Sequence, residues 1–374
     1  MFVPALVVVV TLLSVAVFLP AWRSLSDQRT FTVKERAGVA YLTALPTALS
    51  ALLDAEAAAV RGAPLDKVAQ QRAFDAVDAA DARLGGILLT TQRWSTLRAR
   101  IQTLSTQRFT DQIGAYVAYT EVVDLMLGLY RKIGDESNLI LDPELDTYYL
   151  MNAAMLRLPP VMVNASRLAD LVSILPSVNG RARVEMASSI ATARTFVATD
   201  AADLQQGLTT AIDRTTRSDL GTALLGQLDE FHRALESIAP STMLVGMPHF
   251  VDTVANVVPQ RDTLMTTSVR LARVALTELD GLLSGRADGF DGNRTVFLIA
   301  LVLGVTLTIV ALAAMGWFLW SRSPVQGRSH RDDSGGGPRQ PGGGSYRYGP
   351  SDLAGPPEPQ RAAIPAAEEW SGAR

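Results

Sequence analysis

The chain has 374 residues, of which 48% are apolar and only 6% aromatic, with no cysteine and a formal charge of −3. That apolar content is ample for a large core, and the alanine-rich, aromatic-poor balance suits helices better than strands. The lack of cysteine excludes disulfides and thiolate chemistry. His232, His249 and His330 are too dispersed for a histidine metal site, and the weak net charge gives no reason to expect a nucleic-acid partner.

Residues 1–21 carry no charged side chain and are dominated by Val, Leu, Ala and Phe. A run of that length crosses a hydrocarbon slab of ~30 Å at ~1.5 Å per residue. No basic stretch precedes it and no A-x-A site follows, so a retained transmembrane helix is expected rather than a cleaved leader. Residues 22–294 show period-3.6 apolar patterning almost throughout: Leu42, Leu45, Leu49 and Leu52; Tyr119, Val122, Met126, Leu129 and Ile133; Ala272, Ala275, Leu279 and Leu282. Breaks are expected at Arg61–Pro64, Thr106–Thr110, Gly134–Pro143, Ser177–Gly180 and Ala239–Pro248. They give six or seven helices, with kinks or short interruptions at Pro46 and at Pro159-Pro160.

Residues 295–320 run without a charge and end in Trp317, Phe318 and Trp320, with Arg322 beyond. Aromatic residues followed by arginine are what a membrane interface selects, so a second span is expected. A helix beginning near Val251 is expected to continue through it. Arg322, Arg328 and Arg331 favour a cytoplasmic tail, whereas Arg23, Arg29, Lys34 and Arg36 pull the other way; N-in, domain-out, C-in is the expected topology. In the tail, 321–374, eighteen of 54 residues are Gly or Pro, so it is expected to be disordered. The fold expected is all-α: an elongated helix bundle, or two stacked bundles, between two transmembrane helices.

The most distinctive run is Ile133 to Asn152, IGDESNLILDPELDTYYLMN. It reads as a helix ending at Gly134, a polar turn, and a new helix with Asp142 as N-cap, Pro143 at the first position and Asp146 in the first turn. Ser137 to Met151 resembles a segment of the extracytoplasmic helical sensor domains of bacterial methyl-accepting chemotaxis proteins and sensor histidine kinases. Val33 to Leu42 resembles the opening of the same domains, and Leu158-Pro159 also fits. The resemblance covers roughly residues 30–180, with Ser137, Asn138, Asp142, Pro143 and Asp146 as its structural motif. Where such domains often carry His-Arg-Gly, this chain has Val60-Arg61-Gly62.

The resemblance implies a sensor-like domain in the bacterial inner membrane, dimeric through its long helices, receiving a small solute or a partner protein. No HAMP-like linker, coiled-coil hairpin, phosphoacceptor helix or ATP-binding motif is recognisable, so signalling through another chain is expected. A scaffolding protein with a recruiting tail and a truncated receptor are the alternatives. Lys34, Arg36, Tyr41, Arg61, Tyr148, Tyr149 and Asn152 are the candidate ligand residues, because arginine offers a planar fork to an organic acid. No catalytic residue, metal site or cofactor is expected: Asp142, Glu144 and Asp146 sit at a helix start, which favours the ionised form over the neutral carboxyl a general acid needs.

Overall fold

The computed structural model describes residues 2–215, 218–238 and 257–321, and every regular element among them is helical. The helices in chain order are α1 (Phe2–Leu42), α2 (Leu45–Arg61), α3 (Lys67–Leu84), α4 (Thr91–Thr106), α5 (Gln112–Ser137), α6 (Leu145–Met151), α7 (Leu158–Ile174), α8 (Gly180–Arg214), α9 (Ser218–Ile238) and α10 (Val257–Ser321). The expected break at Ala239–Pro248 and the expected disordered tail lie outside the described residues.

The all-α expectation is met, but with ten helices among the described residues rather than six or seven. The interruption expected at Pro46 is present: its ring would strike the carbonyl four residues back, at Leu42, which is where α1 stops. Two breaks were not foreseen: a tight segment after α3, where Gly85 and Gly86 lead to Leu89 in the left-handed region, φ 50°, and the end of α8 at Arg214 before α9 starts at Ser218. Pro159 and Pro160 open α7, and the chain widens into a π-turn over Asn152–Arg157 just ahead of them.

The Ile133–Asn152 run is also corrected. α5 passes Gly134 and ends at Ser137, capped by Asn138 at φ 65°, a region asparagine tolerates well. A 3₁₀ turn follows at Leu139–Leu141, and α6 starts at Leu145 after Glu144, not at Asp142-Pro143. Asp142 still takes the Glu144 N–H at 3.0 Å, but its carboxylate is drawn mainly to Arg286, 144 residues away in sequence, which no local pattern could reveal. Asp146 accepts the Thr147 N–H at 2.8 Å.

Within the unit Met1–Phe318, one continuous apolar core runs from Val39 on α1 to Leu283 on α10 and takes in every helix between. A small satellite of Val60, Ala115, Ile174 and Val178 closes one end. Leu45, Leu49 and Leu52 of α2 meet Val122, Met126 and Leu129 of α5 in that core, all of them buried. α1 approaches α5 at Gly38, where an added Cβ would collide with Ser137. Gly38→Ala is therefore expected to cost about 1–3 kcal/mol of overpacking strain, read as a lower midpoint in thermal denaturation. At Gly134, where the obstacle is the flexible Met155 side chain, alanine should cost less.

Among the described residues, three helical stretches are long and apolar enough to cross a membrane by length and composition: Phe18–Arg61, which takes in the end of α1 and all of α2, Gln112–Ser137 and Val257–Phe318. They differ in where their apolar surface goes. The Gln112–Ser137 helix spends Tyr119, Val122, Met126, Leu129 and Ile133 on the core and carries Glu121, Asp124, Arg131 and Lys132 elsewhere. By contrast, none of the most apolar window of Val257–Phe318 is buried; Val296, Ile299, Leu303, Leu307 and Val310 all face outward.

Candidate functional site

α10 makes the contacts that join the polar features of the fold. Its first turns face α2 and α3 across a groove of about 550 Å³. That volume suits a small-molecule site. α2 contributes Asp54 and Arg61, and the 62–66 segment forms the lip. α10 contributes Arg261, Asp262, Arg270 and Arg273. The lip exists because α2 ends at Gly62, whose φ of 68° suits glycine and whose N–H caps the carbonyls of Ala57 and Ala58. Arg61, in the last turn, also complements the negative end of the α2 dipole. Asp66 opens α3 by accepting the N–H groups of Val68 and Ala69.

Behind the groove lies a buried charge cluster. Arg61 Nε donates to Asp170 Oδ1 at 2.7 Å, with the aspartate side chain fully buried and the arginine 9% exposed. Arg261, 2% exposed, is paired with Asp54 and with Asp262 and donates to Ser166 at 3.3 Å. Glu56 is buried in the same region and neither of its oxygens has a partner. Burial first, and then the Asp170 carboxylate, push the Glu56 carboxyl up to about 8, against the pull of Arg167, Arg261 and Arg61. Burial also raises Asp170 to about 6, although Arg61 and Arg261 oppose it. Burial thus favours the neutral form at Glu56, whereas the Arg61 guanidinium beside Asp170 works for the ionised form there.

Among the described residues, Arg61 Nη2 and Arg261 Nε have no acceptor. Both belong to residues that line the groove. A buried guanidinium N–H without a partner is costly, and an incoming oxygen acceptor would satisfy it. Arg270 and Arg273 add positive charge at the mouth, Arg270 lying 3.6 Å from Glu230. The groove thus combines a small-molecule volume with cationic side chains. It presents no paired nucleophile and base.

Of the seven residues expected to hold a ligand, only Arg61 lines this groove, and the structure does not bring the seven together. Arg36 pairs with Asp280 at 2.9 Å. Tyr41 is fully buried, its hydroxyl donating at 3.0 Å to Asp81, which also accepts from Thr90. Tyr148 and Tyr149 meet edge to face at 5.4 Å, and Tyr149 lies against Gly207 of α8. Asn152 begins the π-turn, and Lys34 lies near Glu136, whose carboxyl it helps hold below its usual range after the larger effect of Lys132.

Sequence reasoning missed Glu56, Asp170, Arg261, Glu35 and Arg286. A signal for three of them existed. Glu56 continues the stripe Leu45, Leu49, Leu52; Glu35 falls between Thr32 and Val39; Asp170 lies between Ser166 and Ile174. Each is an acid at a core position of a helical repeat.

A second polar set ties α1 to α10 as they approach the apolar stretch. Arg29 pairs with Asp291 at 2.7 Å, Arg36 with Asp280, and the Arg294 guanidinium lies 4.4 Å from the centre of the Trp22 ring. Phe18 and Phe297 follow with centroids 6.1 Å apart. The half-exposed ion pairs contribute about 0–1 kcal/mol each, but together they fix the register of two antiparallel helices. No protein-family model, no curated protein and no solved structure matches the chain.

Proposed function

We propose that the chain is a receptor-like protein of the bacterial inner membrane. Its helical domain lies outside the cytoplasm, takes a small organic acid in the α2–α3–α10 groove, and passes the effect to another chain. The observation that carries this reading is the continuity of α10. The same uninterrupted helix lines the groove with Arg261, Arg270 and Arg273, binds α1 through Asp280 and Asp291, and continues as the exposed apolar stretch from Val296 to Trp320. From Arg261 to Thr295 it covers ~50 Å at ~1.5 Å per residue, so a displacement at the groove travels along a stiff rod.

Two spans, 1–21 and 295–320, with both termini cytoplasmic, are part of the proposal. The Trp22–Arg294 contact supports it, because an aromatic ring and an arginine where two apolar stretches begin suit a membrane interface. The resemblance of residues 30–180 to chemotaxis and histidine-kinase sensor domains supports a sensing role and a dimer.

The test is a thermal-shift screen of the full chain in nanodiscs against dicarboxylates, hydroxy acids and amino acids. A ligand at 100 times its Kd should add about 2.7 kcal/mol of stability. Arg273→Ala, an exposed groove position with no side-chain partner among the described residues, should weaken that shift while leaving the unliganded midpoint in place. Silence across the panel, or a shift indifferent to Arg273, would sink the ligand reading. Because the chain has no cysteine, single cysteines at Val33 and Ser329 probed with an impermeant maleimide on intact cells would test the topology. Labelling at 33 alone is expected.

A further inference from the structure

The Asp142-Pro143 turn, prominent in the sequence, is not absorbed by the groove. It lies against α1 and α10 at the opposite end of the domain, where Arg286 joins three elements. Arg286 Nη1 donates to Asp142 Oδ1 at 3.0 Å and lies 3.8 Å from Glu35 Oε2, and Nη2 donates to the Thr147 hydroxyl at 3.2 Å. Glu35 and Asp142 are both buried, their side chains 0% and 1% exposed.

Among the described residues, three carboxyl oxygens here have no hydrogen-bond partner when protons are left out of account: both oxygens of Glu35, and Oδ2 of Asp142. Two buried carboxylates facing one guanidinium leave a net charge of −1 in a medium that penalises it heavily. One proton held between the two carboxyls makes the set neutral and gives the unpartnered oxygens a donor. Burial first, and the nearby Asp142 carboxylate second, push the Glu35 carboxyl up to about 8, with Arg286 pulling the other way. The groups facing Glu35 are thus Thr32 on its own helix, Asp142 on the turn and Arg286 on α10, with Thr147 of α6 behind the arginine. Asp27 and Glu144, lining the adjoining cavity with Arg286, add only negative charge.

We propose that Glu35, Asp142 and Arg286 form a proton-operated latch that clamps α1 and α10 to the 138–144 turn while one proton is shared, and opens when that proton is lost. Ionisation of Glu35 sets two carboxylates against each other across a single arginine, and residues 141–144, where Leu141, Pro143 and Glu144 are exposed while Leu139 stays anchored in the core, are the part that moves away. The turn carries Leu141, 68% exposed, and borders a cavity of about 530 Å³ into which water can follow. Arg286 lies nine residues before Thr295, ~13 Å along the helix, so the latch acts on α10 close to the apolar stretch. It operates independently of any ligand in the groove.

Spin labels on cysteines replacing Leu141 and Asp288, both exposed, report the distance from the turn to α10 in the full chain in nanodiscs. A lengthened or broadened distribution is expected on going from pH 6 to pH 9.5, with a midpoint near 8 and unchanged helical circular dichroism. Glu35→Gln, which keeps the shape and cannot ionise, should hold the short distance across the range. Asp142→Asn, which removes the opposing charge and leaves ionised Glu35 paired with Arg286 alone, should likewise hold the short distance across the range. A distance that does not change with pH in the native sequence, or a transition that persists in Glu35→Gln, would overturn the latch.

Discussion

Asp170→Ala should remove about 3–5 kcal/mol of stability, because it strands the Arg61 guanidinium in the interior without its counter-charge. The Asp170 side chain is fully buried and Arg61 is 9% exposed, so solvent cannot take over the lost contact. A loss of that size is a large share of the 5–15 kcal/mol that holds a typical domain together. Chemical denaturation of the full chain in detergent should show it as a lower midpoint with little change in slope. Replacing both partners, with Asp170→Leu and Arg61→Met together, should recover most of the loss, since the pair's cost is desolvation and its gain mutual attraction. If the single and double variants are equally destabilised, the pair is not what stabilises this part of the core.

The second large effect is on pH. Glu35 and Glu56 are each raised from 4.5 to about 8 in the folded chain, and Asp170 from 3.8 to about 6. A carboxyl with a raised folded pKa keeps its proton where the unfolded chain has already released it. Folding is therefore favoured at low pH, and for these groups stability is fully present below about 4 and declines between the unfolded and folded values. For each glutamate it levels off above about 8. A rise from 4.5 to 8 amounts to about 5 kcal/mol at most for one group, at 1.36 kcal/mol per unit. The thermal midpoint should fall by about 10 °C or more between pH 5 and pH 8.5, at about 2–4 °C per kcal/mol for a domain of this size. Glu35→Gln with Glu56→Gln should flatten most of that slope, and a midpoint that rises over the same range would contradict the burial of both acids.

The two effects arise from the same feature of the sequence. Acids occupy positions that the helical repeat assigns to the core, and the chain keeps them there by surrounding them with arginines drawn from distant segments. Arg61 and Arg261 serve the cluster behind the groove, and Arg286 serves Glu35. The three cations come from two helices separated by about two hundred residues, so local pattern identifies the buried acids but not what neutralises them.

The helical class was readable because the 3.6 repeat persists through stripes such as Leu45–Leu49–Leu52 and Val122–Met126–Leu129, which commit one face of each helix to a core. The uncharged run from Thr295 to Trp320 was equally plain, since twenty-six residues without a charge have no economical place on a water-facing surface. Local rules also supplied the stop at Gly62, where a left-handed residue is required, but placed the end of α5 at Gly134 rather than at Asn138. What the tertiary structure alone decided is which charges meet. Arg36 appeared free to take a ligand until Asp280 was placed opposite it. Tyr41 looked like a binding edge until Asp81 accepted its hydroxyl, and Asp142 looked like a helix cap until Arg286 reached it. Helix propensity and capping act within about four residues and are written in the sequence. Pairing across 40 to 262 residues depends on the register in which helices pack, and that register is set by the whole core at once.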